Sequence, residues 1–179
     1  MSWATMRDAV LERFPPPPGL PRDVEAYLHR VEDVYATDAY NSLSIEGYRV
    51  SAELIERVRS GNWNPESEAD RSHQDALAAR GYWQAFRKVK DTGSRIVQGA
   101  NAGEATHADH GTWCREMFGP SVAAGILKPS DLAGYRNGPV YIRQSKHVPP
   151  RSEAVRELMP AFFDLLRNEP EASVRVVLG

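Results

Sequence analysis

Ser42 and Glu46 stand four residues apart in "SLSIEG", residues 42–47, directly before Gly47. On a helix that spacing puts the hydroxyl and the carboxylate on one face, about 6 Å apart along the axis, aimed at whatever the face meets. Gly47 is the natural residue just past the helix end, where a left-handed backbone costs little. The same residues also describe a solvated helix face with a glycine stop. A second group, His107 and His110 with Asp109 beside them, could share a metal if helical, but two imidazoles lack the further ligands zinc wants, and a surface histidine cluster is the better reading. Cys114, the single cysteine, cannot form an internal disulfide or a multi-thiolate site and reads as a small packed residue. Arg136 and Arg143 could meet phosphate, though solvated arginines are commoner. Trp63, Trp83 and Trp113 read as core or loop anchors rather than a stacking platform for nucleic acid.

The elements that must position these residues follow from periodicity and punctuation. Residues 5–14 form a short helix, and "PPPPG" at 15–19 forbids its continuation, because proline lacks the amide donor. A first long helix starts at Pro21 and runs to Glu46, with Val24, Leu28, Val31 and Tyr35 on its inner face. Ser51 caps a second helix that buries Leu54, Ile55 and Val58 and stops at Gly61. "NWNPES" is a loop. A third helix runs from about Glu66 to Lys90, burying Leu77, Trp83, Phe86 and Val89, and "DTG" at 91–93 ends it. The stretch 94–105 is polar, and "THADHGTWCREMF" is a weaker helix interrupted by Gly111.

Glycines and prolines punctuate 119–150 too densely for a long helix. Within it "PVYIR" has strand content, "QSK" can turn and "HV" can return, so a small β-hairpin is expected. A last helix begins at a Ser152 cap and buries Val155, Leu158, Phe162, Leu165 and Leu166, with a kink or interruption at Pro160. After Pro170 the apolar run "SVRVVLG" reaches the final residue, which reads as an element cut off partway.

At 179 residues the chain suits one ordinary domain with a real core. Apolar residues make up 41% and charged residues 26%, which argues against a disordered or fibrous class. With 22 basic and 24 acidic side chains the formal charge is −2, so no broad nucleic-acid surface is implied, and no basic recognition helix stands out. No stretch approaches the roughly 20 apolar residues of a membrane span, and the N-terminus is unlike a secretory leader. The expectation is a soluble, cytoplasmic protein that is not bound to membranes.

Two stretches together carry a family resemblance. "SLSIEG" resembles the inhibitory-helix motif of Fic-family proteins, a Ser or Thr, three residues, a Glu, then Gly or Asn. "LAGYRNGPVYIRQSKHVPP", residues 132–150, looks like the flap of the same family, a β-hairpin over the active site. The likeness runs from about Thr37 to Gly179 and takes in "AVRELMPAFFDLL" as the helix after the flap. It implies a mainly α, Fic-type helical domain over 37–179 with a small β-hairpin flap, preceded over 1–36 by a helical extension with a proline-rich elbow.

The resemblance further implies a protein adenylyltransferase that uses ATP and Mg2+ to place AMP on a Ser, Thr or Tyr hydroxyl of a target protein. Its catalysis depends on a motif of the form H-P-F-x-D/E-G-N-G-R, which this sequence does not contain; the last histidine is His147. No catalytic residue is therefore named, and the chain alone is expected to be inactive, needing a further C-terminal Fic segment. By the same resemblance Glu46 reaches the arginine that closes the absent motif and competes with the γ-phosphate of ATP for its donors, Ser42 supports the helix end by a local hydrogen bond, and Gly47 turns the chain away. Val140, Tyr141, Ile142 and Arg143 are the residues expected to border nucleotide and target, the target adding along the strand edge through main-chain hydrogen bonds. The alternatives are a non-catalytic Fic-like binding or regulatory module, and an enzyme that also removes AMP. A homo-oligomer covering the apolar C-terminus is a further possible partnership.

Overall fold

The computed structural model describes residues 3–62 and 74–178, and among them the chain is mainly α-helical, with no strand. The helices are α1 (Trp3–Arg13), α2 (Val24–Ile45), α3 (Ala52–Arg59), α4 (Gln74–Val97), α5 (Ala102–Ala123), α6 (Ser152–Asn168) and α7 (Ala172–Leu178), with a 3-10 turn at Pro129–Leu132. Two compact units divide the chain. One comprises Met1–Arg22, Ile96–Ala108 and Tyr135–Gly179; the other comprises Asp23–Arg95 and Asp109–Gly134.

In the second unit, caps set the helix ends. Asp23 caps α2 by accepting from the amide of Ala26 at 2.9 Å, so the helix starts at Val24, three residues after Pro21. Ser51 caps α3 as its sequence indicates, accepting from the Leu54 amide at 3.2 Å. The core of this unit is built from Tyr35, Ala39 and Leu43 of α2, spaced by four, against Ile55 and Val58 of α3 and Ala79 of α4. Trp83 and Phe86 lie 4.5 Å and 4.9 Å from Tyr35, ring centre to ring centre, so Trp83 is a core anchor. Val89 falls off this stripe and is exposed. Trp63 and the expected helix start at Glu66 lie outside the described residues.

The third helix does not stop at "DTG": Asp91, Thr92 and Gly93 continue α4 to Val97. The Thr92 hydroxyl, buried, donates to Asp109 at 2.5 Å, and Arg95 also pairs with Asp109, contacts that outweigh the local breaker signal. Similarly α5 begins at Ala102, where the side chain of Asn101 accepts from the Glu104 amide at 3.0 Å, and it runs unbroken through Gly111 and Pro120. At Gly81 a Cβ would meet the carbonyl oxygen of Met117 at 1.8 Å; only glycine lets α4 and α5 pass this closely.

The first unit is held by a buried carboxylate. Glu169, just beyond α6, receives the Arg7 guanidinium, the Trp3 indole N–H at 3.2 Å and the amide of Glu171 at 3.0 Å, so α1 is tied to the link between α6 and α7. Burial on its own would raise the Glu169 carboxyl, but Arg7, the Glu171 amide and Trp3 hold it below its ordinary value. Gly103 of α5 lies against the backbone of Arg167, 2.3 Å from where a Cβ would sit. In α6 the helix starts at Ser152, with Arg151 rather than Ser152 in the capping position, and Pro160 does not interrupt it. Its buried residues are Phe163 and Leu166, while Leu158 and Leu165 are exposed: the inner face is turned from the expected one because Phe163 stacks on His107 at 4.4 Å.

The expected β-hairpin is absent among the described residues. Val140, Tyr141 and Ile142 are exposed and in no ladder, although a turn does form where Ser145 donates its amide to the Ile142 carbonyl and Gln144 takes φ +61°. The return segment, His147–Val148, is too short to stabilise a two-stranded ribbon, and Pro149 and Pro150 bring no amide donors. The loop is closed instead by Arg136, which donates to the carbonyls of Gly138, at 2.7 Å, and Pro150.

Candidate functional site

The last turn of α2 borders a cavity of about 540 Å3 in the second unit. From α2 come Ser42, Leu43 and Ile45, with Glu46 at the cap; Tyr48 follows; α4 adds Ala78 and Tyr82; α5 adds Met117, Phe118 and Ser121. Ser42 and Glu46 therefore do share one face and one space.

Local sequence explains how α2 ends there. Gly47 adopts φ +90° and donates its amide to the Ser44 carbonyl at 3.0 Å, and the Tyr48 amide reaches back to the Leu43 carbonyl at 3.0 Å, the paired bonds of a Schellman stop. Tyr48 then packs against the cluster around Leu43. The amide of Glu46 bonds to the Ser42 carbonyl at 3.2 Å; its side chain is exposed and, among the described residues, makes no hydrogen bond or ion pair.

The side chain of Ser42 has a tertiary partner. Its hydroxyl lies 3.3 Å from the Tyr82 hydroxyl, which donates to Asp38 at 2.6 Å. A phenol carries one proton, so the chain of donors runs from Ser42 to Tyr82 to Asp38. Burial and the bond to Asp38 push the Tyr82 phenol above its ordinary value, while Ser42 pulls it back. Asp38, Ser42 and Glu46 form a ladder at intervals of four along α2, its lower two members joined by a tyrosine from α4. The described lining of the cavity thus combines the Ser42 hydroxyl and the Glu46 carboxylate at the end of α2 with Tyr48, Tyr82 and Ser121 and with hydrocarbon from Leu43, Met117 and Phe118.

Val140, Tyr141, Ile142 and Arg143 lie in the exposed loop of the first unit. His107 is occupied by its stack on Phe163, and no group of three or more His, Cys, Asp or Glu side chains among the described residues could hold a metal ion. Cys114 is exposed on α5 rather than packed. Among the described residues no helix is long and apolar enough to cross a membrane. Tyr82, Met117 and Phe118 were not legible as site residues, since nothing in their local pattern separates them from core positions; the one usable signal was the Asp38–Ser42–Glu46 interval. Comparison of the chain with family models, with curated proteins and with solved structures returned no match.

Proposed function

We propose that the chain is the regulatory and target-binding part of a cytoplasmic Fic-type protein adenylyltransferase, with α2 as its inhibitory helix. The supporting observation is that Ser42 and Glu46 border one cavity at the end of α2, with Gly47 ending the helix in the left-handed conformation, as an S-x-x-x-E-G inhibitory motif requires. Among the described residues the Glu46 carboxylate has no partner and could be offered to a guanidinium, and a bidentate pair of that kind is strong and directional. Val140, Tyr141, Ile142 and Arg143 complete the reading: these exposed residues would align a target segment through main-chain hydrogen bonds.

ATP and magnesium are part of the proposed whole. Among the described residues no group of three or more His, Cys, Asp or Glu side chains could hold a metal ion, and no chemical step is assigned to this chain. In a protein that joins the chain to a segment carrying the H-P-F-x-D/E-G-N-G-R motif, Glu46→Gly is expected to raise AMP incorporation about ten-fold, the scale of one charge-assisted pair. Transfer of label from α-phosphate-labelled ATP measures it. Unchanged incorporation in a folded variant would overturn the reading and favour a non-catalytic module.

A further inference from the structure

Among the described residues that line the cavity beside the end of α2, one is charged, Glu46. A helix C-terminus adds partial negative charge at the same place, and the last turn of α2 carries no basic side chain to offset it. Asp38, two turns away, already accepts from Tyr82. The rest of the described wall is mostly apolar and uncharged, with Leu43, Met117, Phe118 and the ring of Tyr82 beside the neutral hydroxyl of Ser121. At about 540 Å3 the space falls in the range of small-molecule sites, roughly 300–1,000 Å3.

We propose that this cavity binds a small organic cation, a protonated amine carried on a ring-sized apolar body. The ammonium donates to the Glu46 carboxylate and the Ser42 hydroxyl, and the body lies between Leu43 and the Met117–Phe118 wall. A carboxylate or phosphate at the same position would face both Glu46 and the negative end of α2. The site stands on the cavity alone and does not depend on adenylyl transfer, which the test leaves out.

The 179-residue chain is titrated with phenylethylamine, and separately with 3-phenylpropionate as a probe of similar shape and opposite charge, while backbone amide signals are followed by NMR. The amine is expected to shift signals from residues 42–48 and 117–121, and 3-phenylpropionate to leave them in place. Glu46→Gln, at an exposed cap where the fold should persist, weakens the amine about five-fold, the upper end for an exposed charge pair. Ala78→Phe, which fills the space, abolishes the shifts; if that variant does not fold, Glu46→Gln decides alone. Equal binding of the two probes, shifts confined to other residues, no shift at millimolar amine, or an unchanged affinity in Glu46→Gln would each overturn the proposal.

Discussion

Two tyrosines that touch the core of the second unit have opposite hydrogen-bond situations. The hydroxyl of Tyr82 joins Ser42 to Asp38, so Tyr82→Phe removes two bonds at the rim of the cavity and is expected to cost about 1 kcal/mol in urea denaturation. The hydroxyl of Tyr35 is buried without a partner among the described residues, and burial raises its phenol far above 10.0. Tyr35→Phe should therefore leave stability unchanged or raise it, by up to about 1 kcal/mol, since an unsatisfied group is removed and the ring contacts with Trp83 and Phe86 remain. The sign of the pH effect follows. Tyr35 stays protonated in the folded chain, so its contribution is complete below pH 10.0 and is lost as pH rises beyond that value, where the unfolded phenol ionises first. Denaturation midpoints measured between pH 9 and 11.5 should fall more steeply for the native chain than for Tyr35→Phe.

At the scale of elements, the path of α4 past α5 depends on one missing side chain. A Cβ at Gly81 would collide with backbone, which cannot swing aside as a flexible side chain can. Gly81→Ala is thus expected to destabilise by about 2–3 kcal/mol despite the better helix propensity of alanine, and thermal unfolding will show it as a lowered midpoint. Since Met117 of α5 and Ala78 and Tyr82 of α4 line the cavity, the same substitution should also disturb amide signals around Tyr82 and Met117. The loop at 133–151 makes the complementary point. Among the described residues there is no strand edge for its strand-forming residues to pair with, and Arg136 closes the loop through carbonyls without building a ladder.

For the molecule as a whole, the first unit is secured by an ionised side chain at 6% exposure. Glu169 is held below 4.5, so its contribution is complete above that pH and is lost as pH falls through the depressed value. Glu169→Gln should cost about 2 kcal/mol near neutrality, the worth of its charge-assisted bonds, and should flatten the acid limb of the stability profile. Limited proteolysis provides an independent check, with α1 cut sooner in the variant because Trp3 and Arg7 lose their acceptor.

The sequence by itself determined the helical class, the C-terminal end of α2, the ends of α3, the burial of Ile55 and Val58 and the shared face of Ser42 and Glu46. These are local properties: a cap, a glycine with positive φ and a helical interval act within a few residues, and Ser51 and Gly47 show it. Tertiary structure decided where α4 and α5 stop, which face of α6 is buried, and what Ser42 touches. Thr92 and Gly93 read as a helix end until Asp109 is placed against them. Leu158 and Leu165 read as core until Phe163 meets His107. The partnership of Ser42 with Tyr82 spans forty residues, and no periodicity along one helix can say which residue of another will face it, because that depends on how closely the backbones approach.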